Sequence, residues 1–281
     1  MEFIGTLALL LARGFQWSAE LCSQCAHFFH GLLPVLLPPA RLTALVKAYY
    51  RNVYRTRLAP PVLDTPDYDL NTWETGLLSR RGIRTGTLLI VGSGWGLEAA
   101  ASASRGLTVV GMDADPGAVR LSTRLAQAHG LPAYFHQADF LAPPYVPESF
   151  EAIVVPGNMY SATPGTARRR SWLSQLGLLL KPDGLLILSF IPEGAGSSRL
   201  RAALVRLNIL LARLPGTNHD YQPGDRCQWG HFQHAFQDEE ELRTELTDAG
   251  AIVRELDWAR CYVVLGFPPQ DRHRDGRNTG A

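Results

Sequence analysis

The chain has 281 residues, enough for one domain of ordinary size with about 80 residues of additions. Its 27 Lys and Arg against 26 Asp and Glu leave a formal net charge of +1, so the chain as a whole is not a polyanion binder and no nucleic-acid partner is expected. Four cysteines do not make a disulfide framework at this length, and Glu2 stands where a secretory signal would begin with a basic residue, so a reducing, cytoplasmic location is expected.

The N-terminal segment is unusual in composition. Residues 21–63 contain no acid, while Arg41, Lys47, Arg51, Arg55 and Arg57 interleave with Leu42, Leu45, Val46, Tyr49, Tyr50, Val53 and Tyr54. Much of this reads as amphipathic helix. A transmembrane span is not expected: the first apolar run stops at Arg13, and the longer uncharged run contains Gln24, His27, His30 and the pair Pro38-Pro39. Two fates stay open for residues 1–63, a cap or homo-oligomer contact on one hand and a peripheral arm on a membrane surface on the other. Cys22 and Cys25 precede His27 and His30, but a single residue separates the two pairs where zinc folds usually place about a dozen, so no metal is expected. Asp64 to Tyr68, with Pro66, reads as a linker that closes an extension over residues 1–69. Asn71, Trp73 and Glu74 open a helix.

The core begins with a short apolar run, Thr87 to Val91, which breaks into Gly92, Gly94 and Gly96 ahead of an Ala-rich helix. A second apolar run, Leu107 to Met112, ends on Asp113. An acid at the tip of a second parallel strand, about 20 residues past the glycines, is placed to accept from the hydroxyls of a ribose. Asp115 and Pro116 start the next helix and Gly130 ends it. Pro132 to Gln137 and Glu151 to Val155 read as strands three and four. Leu179 to Phe190 supplies a turn at Pro182-Asp183-Gly184 and strand five. Asp238, with Glu241 three residues on, caps a helix that closes at Gly250, and a sixth strand and a seventh, Arg260 to Gly266, follow.

Dinucleotide folds use G-x-G-x-x-G, and here the third position is Leu97. What stands is Gly92-Ser93-Gly94-Trp95-Gly96, which resembles motif I of the class I S-adenosylmethionine-dependent methyltransferases. In that family an acid after the third strand accepts from the adenine amino group and the next residue supplies an apolar wall; Asp139 and Phe140 stand there. The resemblance covers roughly residues 70–267. It implies an α/β fold with a seven-stranded, mostly parallel, doubly wound sheet in the order 3-2-1-4-5-7-6, carrying the N-terminal helical extension. It also implies S-adenosyl-L-methionine as cofactor, held by Gly92, Ser93, Gly94, Trp95, Gly96, Asp113, Ala114, Asp139, Phe140 and Pro156. The chain departs from the family at Ile90, where an acid is common, and Glu98 is expected on the helix surface.

Substrate recognition is expected above the carboxyl ends of the strands, in an insertion at 192–237 that reads as a leucine-rich helix followed by a polar loop. The loop gathers His219, Asp220, Tyr221, Asp225, Arg226, Trp229, His231 and His234. His219, His231 and His234, with Tyr160 after strand four, are the candidate catalytic residues, a histidine serving as base for an oxygen acceptor. Arg168, Arg169 and Arg170 read as a solvated helix face. After strand four the chain has Val155-Pro156-Gly157-Asn158-Met159-Tyr160 in place of D/N-P-P-Y, which points away from a nucleobase amine and toward a small-molecule or lipid-like acceptor. A non-catalytic scaffold that keeps the fold and a nicotinamide oxidoreductase are the alternatives. The tail, 268–281, reads as flexible.

Overall fold

The computed structural model describes residues 28–56, 73–194, 199–228 and 230–269, with isolated positions between 16 and 26. The apolar run at 7–12, His27, the linker at 64–68, Asn71, Trp229 and the tail beyond 269 lie outside the described residues.

The central sheet is built from β1 (Thr87–Val91), β2 (Thr108–Asp113), β3 (Ala133–Gln137), β4 (Phe150–Val155), β5 (Leu180–Ser189), β9 (Ile252–Asp257) and β10 (Tyr262–Gly266). Their order is β3-β2-β1-β4-β5-β10-β9, which is 3-2-1-4-5-7-6 when the seven strands are counted along the chain. All neighbours run parallel except β10, which is antiparallel to both β5 and β9. Parallel strands need crossovers, and the helices that supply them cover both faces. The period of two sorts the side chains. Leu89, Val91, Ile153, Val155, Leu186 and Leu188 pack with Trp172, Leu173 and Leu176 of α5 (Thr166–Leu179) and with Leu242 and Leu246 of α7 (Glu239–Asp248). Leu88, Ile90, Ala152, Val154 and Ile187 face the other way, onto Leu77 and Leu78 of α2 (Trp73–Arg80) and Ala99 and Ala103 of α3 (Leu97–Ala103). Ile90 is therefore a core residue, which is why no acid stands there.

Local chemistry sets the helix ends. Asp115 is the N-cap of α4 (Pro116–Ala128), its carboxylate accepting from the amides of Gly117 and Ala118, and Asp238 accepts from Glu241 N at 2.8 Å to cap α7. The turn expected at Pro182-Asp183-Gly184 lies inside β5: Asp183 takes φ 63° and the pairing with β4 slips between Phe150 and Ala152, so the strand absorbs it as a bulge.

Two additions ride on the sheet. The insertion contains the expected helix, α6 (Arg199–Leu211), but its polar loop folds into strands β7 (Asp225–Gln228) and β8 (His231–Phe236), antiparallel to each other. With the two-residue β6 (Ile191–Pro192) they form a second sheet, β6-β8-β7. Ser161 pins this sheet to the segment after β4, its carbonyl accepting from His234 N at 2.8 Å and its hydroxyl from Ile191 N at 2.9 Å. The other addition is helical: residues 28–36 lead through Pro38 into α1 (Pro39–Thr56). Leu42 and Val46 of α1 are buried against Ala162, Cys227 and Phe232, so the helix is docked on the second sheet. No helix among the described residues is long and apolar enough to cross a membrane.

The three arginines of α5 do not share a solvated face. Arg169 is fully buried, and its guanidinium makes two 2.7 Å hydrogen bonds to the carboxylate of Glu245 on α7. Arg168 donates to Thr43 Oγ1 at 2.9 Å and Arg170 pairs with Asp248 at 2.6 Å.

Candidate active site

The chain turns sharply at the end of β1 because it must return over the sheet edge and still keep its amides paired. Gly92 N and Ser93 N both donate to the carbonyl of Met112 at the end of β2. Gly92 has φ 76°, and a Cβ there would lie 1.8 Å from Met159 Sδ, so no other residue fits. Gly96 answers a different demand: at φ 83° a Cβ would meet Ser122 Cβ of α4 at 2.7 Å, and Gly96 does not line the cavity described below. Its lack of a side chain lets α3 and α4 pack closely. Asp113 ties the turn together, accepting from Gly94 N at 3.0 Å and from Asp115 N at 2.8 Å. Its carboxylate is buried, and that burial raises its pKa against the pull of these backbone hydrogen bonds.

The turn opens into a cavity of about 590 Å³. Of the expected cofactor residues, Gly92, Ser93, Gly94, Trp95, Asp113, Ala114, Phe140 and Pro156 line it. Asp139 does not; its side chain is 49% exposed and pairs with Lys47 Nζ at 3.0 Å. Glu98, expected at the surface, lines the cavity, and burial raises its carboxyl pKa. Ser93 Oγ and Trp95 Nε1 are buried there without a hydrogen-bond partner. Orphaned polar atoms around glycines and a buried carboxylate are the cradle a nucleoside with an amino-acid tail requires, so the residues present fit the expected cofactor.

Helix α1 roofs this cavity. Val46, Lys47, Tyr49, Tyr50, Arg51, Val53 and Tyr54 line it, and Tyr54 meets Trp95 edge-on with ring centroids 6.0 Å apart. Burial and the carboxylate of Asp113 hold the Tyr54 phenol well above its ordinary pKa, so it stays protonated as a donor. Lys47–Asp139 and Arg51–Asp115, at 3.0 and 3.7 Å, are partly exposed pairs worth at most about 1 kcal/mol each. The roof is therefore held chiefly by the apolar cluster of Leu42 and Val46 and by ring stacking.

Of the four candidate catalytic residues, one reaches the cavity. His231 is buried in its wall at the start of β8, stacked on Tyr49 with centroids 4.1 Å apart and planes 23° from parallel. Gln233 Nε2 lies 2.9 Å from His231 Nε2. With the amide nitrogen donating, Nε2 of the imidazole is the acceptor in this contact.

The other three are elsewhere. His219 is exposed in the turn before β7. Tyr160 is fully buried beneath the site, where its hydroxyl donates to Glu245 Oε1 at 2.6 Å; packing, not catalysis, accounts for it. His234 points away from the cavity into a buried cluster, Nδ1 2.7 Å from Asp225 Oδ1 and Nε2 3.5 Å from Glu241 Oε1 on α7. It anchors the second sheet to that helix.

Burial and Arg169 oppose a charge on His234, but its hydrogen bond to Asp225 and the nearby Glu241 carboxylate outweigh them and raise its pKa. A raised folded value contributes stability that is complete below the unfolded pKa of about 6.5 and is lost as pH climbs through the folded value. Thermal unfolding of the wild type is therefore expected to shift down over that alkaline window. In Asp225→Asn the shift should vanish; a variant with the wild-type profile would remove this pair from the pH dependence.

Comparison with known proteins agrees with this geometry. Residues 88–184 match a family model described as a methyltransferase domain. That match places a methyltransferase domain on the stretch that holds β1 to β4, the glycine turn and Asp113. Among solved structures it is similar to the Burkholderia thailandensis 1,6-didemethyltoxoflavin-N1-methyltransferase with bound 1,6-didemethyltoxoflavin and S-adenosylhomocysteine. That likeness has a TM-score of 0.56 and 17% identity over 82% of this chain and 89% of that one. It is similar also to the PH0226 protein of Pyrococcus horikoshii OT3, with a TM-score of 0.55 and 15% identity over 77% of this chain and 99% of that one. No curated protein sequence matches the chain.

Proposed function

We propose that the protein transfers the methyl group of S-adenosylmethionine to an uncharged, largely apolar small molecule bound under α1, with His231 as the general base for a protonated oxygen or nitrogen acceptor. The observation that carries this reading is one continuous cavity with the glycine turn and Asp113 among its walls and His231, Gln233 and Tyr49 among the others. A volume of about 590 Å³ is that of a small-molecule site, not of a polymer groove. Apart from Lys47 and Arg51, whose charges are matched by Asp139 and Asp115, no Lys or Arg among the described residues lines it, so an anionic acceptor finds no unmatched counter-charge among them.

When bound, the cofactor supplies a methyl sulfonium, already an activated electrophile. The chain's own work is to orient, dry and deprotonate. Asp113 would accept from the ribose hydroxyls, Phe140 and Trp95 would give apolar walls, and Glu98 would take the methionyl ammonium, the role for which β1 offers only Ile90. Tyr49, Tyr50 and Tyr54 exclude water. An acceptor hydroxyl that took the place of Gln233 at Nε2 of His231 would give up its proton there, leaving its oxygen free to receive the methyl group.

Asp113→Ala removes charge-assisted hydrogen bonds worth about 1.5–3 kcal/mol each. The dissociation constant of S-adenosylhomocysteine, read by calorimetry, is expected to rise on the order of 10- to 100-fold. Unchanged affinity in a folded variant would take Asp113 out of the site. The reading as a whole is tested by release of S-adenosylhomocysteine across a panel of phenolic, enolic, heteroaromatic and thiol acceptors. Cofactor binding without turnover on any of them would favour a non-catalytic role.

A further inference from the structure

The basic residues of α1 face in two directions. Lys47 and Arg51 are engaged with carboxylates of the core, so they are not available to an external surface. The exposed cations lie next door. Exposed Arg206 and Arg213 lie in a stretch, 194–219, whose sequence has no acid, and α6 and Asn218 meet residues 31–35 of the other acid-free stretch, 21–63. Asn208 of α6 donates to Gly31 O at 3.0 Å, Asn218 Nδ2 donates to Pro34 O at 2.7 Å, and Asn218 N donates to Val35 O at the same distance.

Either side of that seam, apolar side chains face water. On α6, Leu207, Leu210 and the following Leu214 are 42%, 60% and 50% exposed, spaced as one helical stripe and flanked by exposed Arg206 and Arg213. On residues 28–36, Phe28, Phe29 and Leu36 are exposed, and Arg41 stands exposed in the first turn of α1. Exposed aromatics and leucines beside unopposed arginines, on helices too short and too polar to span, are the composition of a face that lies in the headgroup layer.

We propose that this face, formed by residues 28–36 and α6, docks on an anionic phospholipid bilayer. Charge selects that occupant. A second copy of the chain, paired symmetrically through the same patch, would set a face carrying Arg206 and Arg213 against the same face, with no acid in the sequence of either segment to answer them. A bilayer carrying phosphatidylserine supplies the missing negative charge together with a medium for the leucines. The docking is independent of the methyl-transfer reading, since none of its residues lines the cavity.

The test is flotation of the full-length protein with vesicles of phosphatidylcholine alone and of phosphatidylcholine with phosphatidylserine. Flotation is expected only with the anionic vesicles, and less of it as salt shortens the reach of the charges. Each arginine near such a surface changes partitioning about fivefold, so Arg206→Ala with Arg213→Ala should lower it roughly 30-fold. Leu207→Ser, Leu210→Ser and Leu214→Ser together should abolish it, and all three sites are exposed, so the melting curve should hold. Arg260→Ala, on the connection between β9 and β10, should change nothing. Absence of flotation, or flotation indifferent to these changes, overturns the proposal. So does sedimentation as a dimer that the leucine variant dissociates, which would assign the face to a second copy.

Discussion

Glu245→Ala is expected to lower the stability of the folded chain by about 3–5 kcal/mol, the cost of leaving a buried charge uncompensated. For a domain of this size that corresponds to a fall in melting temperature of roughly 6–20 °C, readable by calorimetry. The pair carries unusual weight because Arg169 is fully buried and has little recourse besides Glu245: its other partners are Thr163 O at 3.2 Å and Thr166 Oγ1 at 3.1 Å, both neutral. Tyr160 loses its acceptor in the same variant. Replacing both ions by apolar residues, as in Arg169→Met with Glu245→Leu, should recover much of the loss, since desolvation of two charges offsets most of their attraction.

The pair also has a pH signature. Burial opposes ionisation of Glu245, but its hydrogen bonds with Arg169 outweigh that and hold its pKa below the ordinary carboxylate range. Its contribution is thus present above the unfolded value of about 4.3 and is lost as pH falls through the folded one. A loss under about 1 kcal/mol for the single variant would mean that α5 and α7 are held by the Trp172, Leu242 and Leu246 packing alone.

The sheet order and the glycine turn were legible in the sequence because both rest on local rules: apolar runs of strand length, glycines where φ is positive, Asp115 and Asp238 as caps. Glu98 and Arg169 were not, because a linear charge pattern hides which helix face a residue occupies. The signal existed for Arg169. It lies three, four and seven residues before Trp172, Leu173 and Leu176, on the buried stripe of α5, so its charge needed a buried partner. β7 and β8 were missed because Asp225-Arg226-Cys227-Gln228 contains no aliphatic residue and histidines interrupt the β8 pattern. The pairing of β7 with β8 starts at Gln228↔His231, and Gly230, at φ 82°, is the glycine cue that polar composition obscured. A cap was one of the two fates the sequence left open for residues 1–63, but what α1 covers could not be read, since its tyrosines and cations acquire meaning only when Asp113, Asp115, Asp139 and His231 are brought beneath them.

On the proposed function, that convergence puts His231 at the centre of the expected chemistry. Of the three histidines in the insertion it is the one in the cavity wall, on a strand tied through Ser161 to the segment after β4, and beneath a tyrosine that fixes its ring plane. A positioned base contributes about 10²- to 10⁴-fold to a step that needs a proton removed. His231→Ala is therefore expected to lower kcat on a hydroxyl acceptor by that factor while leaving the affinity for S-adenosylhomocysteine within a few-fold of wild type. The acid limb of the wild-type rate profile, set by protonation of the imidazole, should disappear with it. Because alanine also removes the partner of Tyr49, His231→Phe is the companion: it keeps a ring against Tyr49 and removes the nitrogen. Loss in both variants assigns the effect to proton transfer, and loss in alanine alone assigns it to the stack. Wild-type rates in both, with an unchanged pH profile, would show that the acceptor reaches the cavity already ionised, as a thiolate does, and that no base is used.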